Sequence, residues 1–205
     1  MSYESPSGSH TLLLASTSRY RRELLGRLGL PFEARAPTTD ESALTGEPPE
    51  RMAARLAEAK ARSIAAQDAI VIGSDQVASL EGALLRKPGG HDVALAQLEA
   101  AQGKTVVFDT GVFVLDTGSG RSWAHVDRTL VRFARRTRRE LDRYLALERP
   151  YDCVGSFKSE GLGVALFESV ESRDPTALIG LPLIWLAAAL KDAGLDPLAP
   201  AHRGP

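Results

Sequence analysis

The sequence predicts a single α/β domain. Three observations lead to this expectation: short apolar, β-branched runs that end in polar turns, segments of helical periodicity between them, and no internal repeat or linker. The chain has 205 residues, of which 43% are hydrophobic and 25% charged, and this is ordinary for a protein with one sizeable core. We predict that residues 11–195 form the domain and that residues 1–10 and 196–205 are flexible tails.

The first strand and the first helix predict an anion site where they meet. Thr11–Ala15 is an apolar run, followed by the hydroxyl-rich turn 16–18 and a helix expected over 19–28. Backbone N–H groups and the helix dipole converge at such a turn, which suits polyphosphate. Cations in the first turn oppose the dipole unless an anion is present, and this turn contains Arg19, Arg21 and Arg22. The alternative is a serine N-cap followed by surface arginines.

A second strand is expected over 32–36, and a second helix over 50–66 after a polar loop. The loop contains Asp40 and Glu41, which are suitable ligands for a hard cation, although loop acids are usually only solvated. Lys60 lies beside the inner stripe of the helix and can reach a phosphate, although an exposed lysine is the commoner case. We predict that the inner stripe consists of Met52, Leu56, Ala59 and Ser63.

We expect the rest of the fold to be organised around residues 69–88. The run 69–72 predicts a buried strand, and Asp75 follows it at the carboxyl end, where ligand crevices open in α/β sheets. The turn Glu81-Gly82 predicts a hairpin that brings Lys87 back towards the strand end. A carboxylate and a cation would then face one small volume. The alternative is an exposed aspartate and a solvated lysine.

The rest of the chain continues the alternation of strands and helices. We expect a helix over 92–101, strands over 105–115 and 123–133, a short strand over 164–167, and a closing helix to about 194 that is apolar on nearly all sides and therefore buried. The arginine-rich stretch 132–143 favours a solvated helix face over a nucleic-acid stripe, because acidic residues and a leucine pair are interspersed.

Composition excludes several classes of protein. The net charge of −1 gives no global field that would recruit nucleic acid or an anionic membrane. The longest apolar run is interrupted by Pro182 and is too short to span a bilayer, and residues 1–10 lack a signal-peptide pattern. Cys153 is the single cysteine, so no intrachain disulfide can form, which fits a cytoplasmic location. The histidines are scattered without zinc-ligand spacing.

Four motifs occur in a specific order and spacing along the chain. They are Ala15-Ser16-Thr17-Ser18 with Arg21 and Arg22, Gly73-Ser74-Asp75-Gln76 with Lys87-Pro88, Gly155-Ser156-Phe157-Lys158-Ser159-Glu160-Gly161, and Gly180-Leu181-Pro182-Leu183. Each motif is weak alone, but together they resemble the Maf family of nucleoside triphosphate pyrophosphatases. The resemblance implies an ITPase-like fold with an elongated, curved mixed sheet and a deep nucleotide cleft. It also implies cleavage between the α- and β-phosphates with Mg²⁺ or Mn²⁺, and a homodimer.

The resemblance also implies roles for individual residues. Asp75 matches the catalytic acid/base or metal-binding carboxylate, and Glu41 matches an acidic residue near the metal. The positions that match phosphate-binding residues are Ser16, Ser18, Arg21, Arg22, Lys60 and Lys87. The positions that match base-sorting residues are Tyr20, Gln76 and Glu160.

Two of these motifs resemble those of the branch of the family that acts on 7-methyl-GTP. That branch has Ser-Asp-Gln and Phe-Lys-Ser-Glu-Gly, whereas the branch acting on dTTP and UTP has Ala-Asp-Thr and a Gln in place of Glu160. Because 7-methylguanine is cationic, Glu160 can pair with its N1–H and N2 donors and Tyr20 can add a cation–π contact. Three glycines around Lys158 and Glu160 also suggest backbone that approaches a ligand closely.

One departure from the family leaves alternatives open. Arg19 stands where the family usually has proline, so either Arg19 also meets phosphate or the turn is looser and turnover slower. The leading function is hydrolysis of 7-methyl-GTP to the nucleoside monophosphate and pyrophosphate. The alternatives are a dTTP/UTP pyrophosphatase, and a nucleotide-binding regulatory protein linked to septum formation without appreciable turnover.

Overall fold

One seven-stranded sheet forms the framework of the computed structural model, which describes residues 11–199. The strands are β1 (Thr11–Ala15), β2 (Glu33–Arg35), β3 (Ala69–Leu80), β4 (Ala83–Leu85), β5 (Thr105–Asp116), β6 (Ser122–Phe133) and β7 (Phe167–Glu171). The α-helices are α1 (Arg19–Gly26), α2 (Pro49–Arg62), α3 (His91–Ala101), α4 (Arg138–Glu148) and α5 (Leu183–Asp192). The predicted tails lie outside the described residues, except for 196–199.

The sheet is mixed, and this confirms the predicted α/β class. Its order is β2-β1-β3-β5-β6-β7, with β4 also paired to β3. Strand β1 is parallel to both β2 and β3, whereas all other pairs are antiparallel. No helix within residues 11–199 is long and apolar enough to cross a membrane.

Strand β3 is longer than the sequence pattern predicted. The expected strand ended at 72, but β3 continues through the polar residues to Leu80 because β5 pairs with it over 70–80. On its other side, β1 pairs with 69–73 and β4 with 78–80. Within the described part of the chain, the stretch 74–77 therefore has a strand neighbour on one side only. The motif that contains Asp75 lies at this open edge, in the middle of a strand.

Two glycines let α2 lie directly on the sheet. A Cβ atom on Gly73 would be 2.1 Å from the Ala57 carbonyl oxygen, and one on Gly111 would be 2.3 Å from the Ala53 carbonyl oxygen. The buried face of α2 consists of Ala53, Leu56, Ala57, Lys60 and Ala61. The predicted inner stripe was therefore wrong except for Leu56, because the face that packs on the sheet is offset from Met52, Ala59 and Ser63, which are only partly buried. This close packing brings α2 over β3.

Two predictions near the C-terminus are also wrong. The segment 162–166 is a 3-10 helix, and the strand expected over 164–167 begins only at Phe167, where pairing with β6 starts. Helix α5 is not buried on all sides, since Ile184 is 64% exposed. One face of α5 packs on α1 and the sheet through Leu186 and Leu190, and the other faces outward.

The arginine-rich stretch lies at the end of β6 and the start of α4. Three of its members are engaged within the protein: Arg132 with Glu168, Arg136 with the Ala165 carbonyl, and Arg138 with Glu99. Its helical part has a buried side formed by Leu141 and Leu145, as expected for a helix with one solvated face.

Candidate active site

A cleft of about 840 Å³ opens at the one-sided stretch of β3. Successive side chains of a strand point to opposite faces of the sheet, so Asp75 faces α2 while Gln76 faces away from it. Because no strand among the described residues covers this edge, both side chains line the same cleft. We call the lining formed by Glu41, Lys60 and Asp75 the charged end of the cleft, and the lining formed by Tyr20, Gln76, Phe108, Phe157 and Glu160 its aromatic end.

A lysine joins two carboxylates at the charged end. The Lys60 ammonium lies 2.5 Å from Asp75 Oδ1 and 2.6 Å from Glu41 Oε1. Lys60 is 6% exposed and Asp75 is 8% exposed, so each charge depends on the other for compensation. The alternative of an exposed aspartate is therefore wrong, and Lys60 is not the commoner exposed lysine. Lys87 is exposed but lines the cleft, as the hairpin predicted.

The electrostatics of Glu41 reflect three nearby cations. Partial burial would raise its pKa, but the hydrogen bond and charge of Lys60, together with Lys87 and Arg21, lower the pKa overall. Glu41 thus stays ionised in the cleft. Glu41 and Asp75 present hard oxygen donors, of the type that Mg²⁺ prefers. No group of three or more His, Cys, Asp or Glu residues is placed to hold a metal within residues 11–199.

The turn between β1 and α1 is preorganised by its own hydroxyl groups. Ser16 Oγ accepts a hydrogen bond from the Ser18 N–H at 3.1 Å, and Ser18 is the N-cap of α1, accepting from the Arg21 N–H. The N–H groups of Arg19 and Tyr20 have no acceptor among residues 11–199. These residues line the cleft, so the turn has the geometry predicted for an anion site.

Two neighbouring arginines of α1 occupy different surroundings. Arg21 lines the cleft and donates from Nε to the Gly180 carbonyl at 2.9 Å. Burial lowers the pKa of Arg21, while the charges of Asp75 and Glu41 oppose this shift. Arg22 lies about 100° around the helix, is exposed, and does not line the cleft. The structure does not bring Arg22 together with the other residues of the predicted phosphate site.

At the aromatic end, Tyr20 is already in contact with a cation. Arg19 donates to the Tyr20 hydroxyl at 2.6 Å, and its guanidinium carbon is 4.6 Å from the ring centroid. Burial raises the pKa of Tyr20 to about 12, although the hydrogen bond from Arg19 opposes this. Arg19 itself lines the cleft, so the departure from proline adds a guanidinium at the entrance of the site. Glu160 is exposed at the rim.

Gln76 is held by three partners of its side-chain nitrogen. Its Nε2 lies 3.0 Å from Thr110 Oγ1, from the Ala177 carbonyl oxygen and from the Leu178 carbonyl oxygen, so these three acceptors share its two hydrogens. Thr110, which is fully buried, donates from its own hydroxyl to the Ala177 carbonyl. The side-chain oxygen of Gln76 accepts no hydrogen bond from the described residues.

Sequence reasoning assigned no supporting role to the residues that hold the site together. Ser74 Oγ lies 2.8 Å from the Gly111 carbonyl oxygen and 2.9 Å from the Gly180 carbonyl oxygen, so it joins β3 to the segment that also holds Arg21. The small residues spaced four apart in α2 could have indicated the close approach to Gly73. No sequence signal would have identified Thr110.

The glycines near Glu160 pack against the protein itself. A Cβ on Gly163 would be 2.3 Å from the Lys158 carbonyl oxygen, and one on Gly161 would be 2.8 Å from Glu148 Oε1. Gly155 has φ +79 and lies against Phe108. The close approach expected with a ligand is therefore made between segments of the chain.

Comparisons with known proteins identify the family. Residues 11–193 match the family described as Maf-like protein. The chain is 50% identical over 189 residues to the 7-methyl-GTP pyrophosphatase of Albidiferax ferrireducens, covering 91% of this chain and 95% of that protein. It is 53% identical over 183 residues to the protein of that name from Ralstonia nicotianae, covering 88% and 94%. With most of its length matched in each case, the chain belongs to the Maf family.

Proposed function

We propose that this chain is a nucleoside triphosphate pyrophosphatase that hydrolyses 7-methyl-GTP to 7-methyl-GMP and pyrophosphate. The observation that supports this most strongly is the joint placement of a cationic turn and the buried Lys60–Asp75 pair in one cleft with an aromatic end. The names of the relatives, which are about 50% identical, support the same reaction and substrate.

The charged end suits the triphosphate. A triphosphate has about four negative charges, which cations and N–H donors must offset. The residues proposed to bind it are Ser16, Ser18, Arg21, Lys60 and Lys87, together with the N–H groups of Arg19 and Tyr20. Arg22 stays a prediction from the resemblance, because it lies outside the cleft.

Asp75 is the residue proposed to act on the attacking water. The carboxylate accepts a proton from water as the water oxygen bonds to the α-phosphorus. The bond from that phosphorus to the bridging oxygen then breaks, and pyrophosphate leaves with the bridging oxygen. Lys60 places a positive charge 2.5 Å from Asp75 Oδ1, which orients the carboxylate.

A divalent cation, Mg²⁺ or Mn²⁺, would be held by Glu41 and Asp75. Two adjacent carboxylates fit this role, because Mg²⁺ commonly binds through one or two carboxylates and the phosphates of the substrate. When bound, the cation supplies charge neutralisation and acidifies a bound water.

A cytoplasmic location and a homodimer remain predictions.

The aromatic end suits the base. Glu160 is proposed to pair with the N–H donors of the cationic 7-methylguanine, and Tyr20 to stack on it. Since Arg19 contacts one face of the Tyr20 ring, the base would stack on the opposite face. Glu160→Gln should lower the turnover of 7-methyl-GTP relative to UTP, and an unchanged ratio would contradict this role.

Pyrophosphate release from 7-methyl-GTP, GTP, dTTP, UTP and CTP, each with Mg²⁺ or Mn²⁺, tests the proposed function. A clear preference for 7-methyl-GTP is expected. A preference for dTTP or UTP would keep the reaction and overturn the substrate. Nucleotide binding without turnover of any substrate would favour the regulatory protein linked to septum formation.

A further inference from the structure

The polarity of one hydrogen-bonding group in the cleft is fixed by the protein. A glutamine side chain can usually turn to present either its N–H₂ donors or its carbonyl acceptor to a ligand. In Gln76 the nitrogen is surrounded by three oxygen acceptors: two backbone carbonyls, of Ala177 and Leu178, and the hydroxyl of Thr110. Turning the amide over would place its oxygen against both carbonyl oxygens, which cannot donate.

Thr110 completes this arrangement in two ways. Its hydroxyl hydrogen is directed to the Ala177 carbonyl at 3.0 Å, so its oxygen is left as an acceptor for the Gln76 nitrogen. The same bond also ties the 3-10 helix Ala177–Ile179 to β5. Because Thr110 is fully buried, water cannot readily replace either bond.

The side-chain oxygen of Gln76 consequently faces the cleft. Gln76 lines the cleft, and all the partners of its nitrogen lie on the protein side. The oxygen is not among the buried, unpartnered atoms of the described residues, so it remains accessible to a ligand. Gln76 and Phe108 point to the same face of the sheet, which places this acceptor beside the aromatic surface.

We propose that Thr110 is a positioning residue that, together with the carbonyls of Ala177 and Leu178, fixes Gln76 as a hydrogen-bond acceptor, so that the cleft selects a base with an N–H donor at this point. The inference rests on the proposed function, which places a nucleotide in the cleft. Guanine presents adjacent N1–H and N2–H donors along its Watson–Crick edge, whereas adenine has a donor at N6 but an acceptor at N1. Two acceptors, Gln76 and Glu160, therefore match both donors of guanine, and adenine can satisfy only one of them.

The first test is the exchange of the Gln76 side-chain hydrogens in the free protein, followed by ¹⁵N–¹H NMR. These hydrogens should exchange at least about tenfold more slowly than those of the exposed Gln67, because both are bonded to fixed acceptors. Exchange as fast as that of Gln67 would overturn the proposal. This measurement requires no nucleotide.

The second test compares binding of the α,β-methylene analogues of GTP and ATP, which cannot be cleaved at the α–β linkage. Thr110→Val should reduce the preference for the guanine analogue about fivefold, towards the preference of Gln76→Ala, because the Gln76 amide loses one of its three acceptors and Ala177 loses the bond from the hydroxyl. Thr110→Ser, which keeps the hydroxyl, should preserve the preference. Thr129→Val removes another fully buried threonine hydroxyl, which bonds Ser172, and should leave the preference unchanged.

The outcomes separate this inference from the proposed function. An unchanged analogue preference in Thr110→Val, or an equal change in Thr129→Val, would overturn the positioning role even if 7-methyl-GTP is hydrolysed. Failure of the wild-type protein to release pyrophosphate would overturn the proposed function, while the analogue affinities would still decide whether Thr110 controls the choice of base.

Discussion

Replacing Gly73 by alanine should displace the helix that holds Lys60. The new Cβ would lie 2.1 Å from the Ala57 carbonyl oxygen and 2.6 Å from the Ala61 nitrogen, whereas ordinary contact begins at 3.4 Å. Both neighbours are backbone atoms of α2, so the helix must move by about 1 Å. Overpacking of this kind costs about 1–3 kcal/mol of unfolding free energy.

The same displacement should also reduce turnover. Lys60 and Asp75 project from the two elements that would separate, and a misplacement of about 1 Å can cost on the order of a hundredfold in rate. Urea unfolding and kcat/KM for 7-methyl-GTP measure the two effects. Gly26→Ala is the matched control, because its Cβ meets nothing within 4 Å. Wild-type stability and turnover in Gly73→Ala would contradict the close contact between α2 and β3.

Three further predictions concern charged residues of the site. Lys60→Met should lower the unfolding free energy by about 3 kcal/mol, because it leaves Asp75 buried without its partner. Adding Asp75→Asn to this variant should restore the unfolding free energy, and urea unfolding checks this cause. Arg21→Ala should lower kcat/KM at least about tenfold and Arg22→Ala less than about threefold, because of these two arginines only Arg21 lines the cleft. Equal losses of kcat/KM in the two variants would contradict this prediction. Because the native pKa of Glu41 lies below its ordinary value of 4.5, its stabilising contribution should be present above pH 4.5 and lost as pH falls through the lowered pKa. Unfolding free energies of wild type and Glu41→Gln should therefore converge in acid, and a constant difference would contradict the prediction.

Local patterns predicted most strands and helices because their signals are local. The apolar run of β1, the serine cap of α1 and the Glu81-Gly82 turn each depend on near neighbours in sequence. The end of β3 was missed because its polar residues are stabilised by pairing with β5, which is distant in sequence. The buried face of α2 was missed because the fit depends on glycines in two strands.

The resemblance to a family identified residues that the structure brings into one cleft, but it could not give their contacts. The pairing of Lys60 with both Asp75 and Glu41 depends on how closely α2 approaches the sheet. The orientation of the Gln76 side chain depends on Thr110 in β5 and on the backbone carbonyl groups of Ala177 and Leu178. Every residue type has a backbone carbonyl, so a sequence motif cannot indicate which carbonyl accepts a hydrogen bond, and only the folded structure shows these contacts.

The most direct measurement compares wild type and Asp75→Asn for pyrophosphate release from 7-methyl-GTP, with binding of the nucleotide measured alongside. We predict turnover by the wild type, a loss of turnover of at least about a hundredfold in the variant, and nucleotide binding that is largely kept, because the cationic turn is intact. Equal turnover in the two proteins would contradict the role of Asp75. Equal inactivity, with both proteins binding the nucleotide, would contradict the enzymatic function itself.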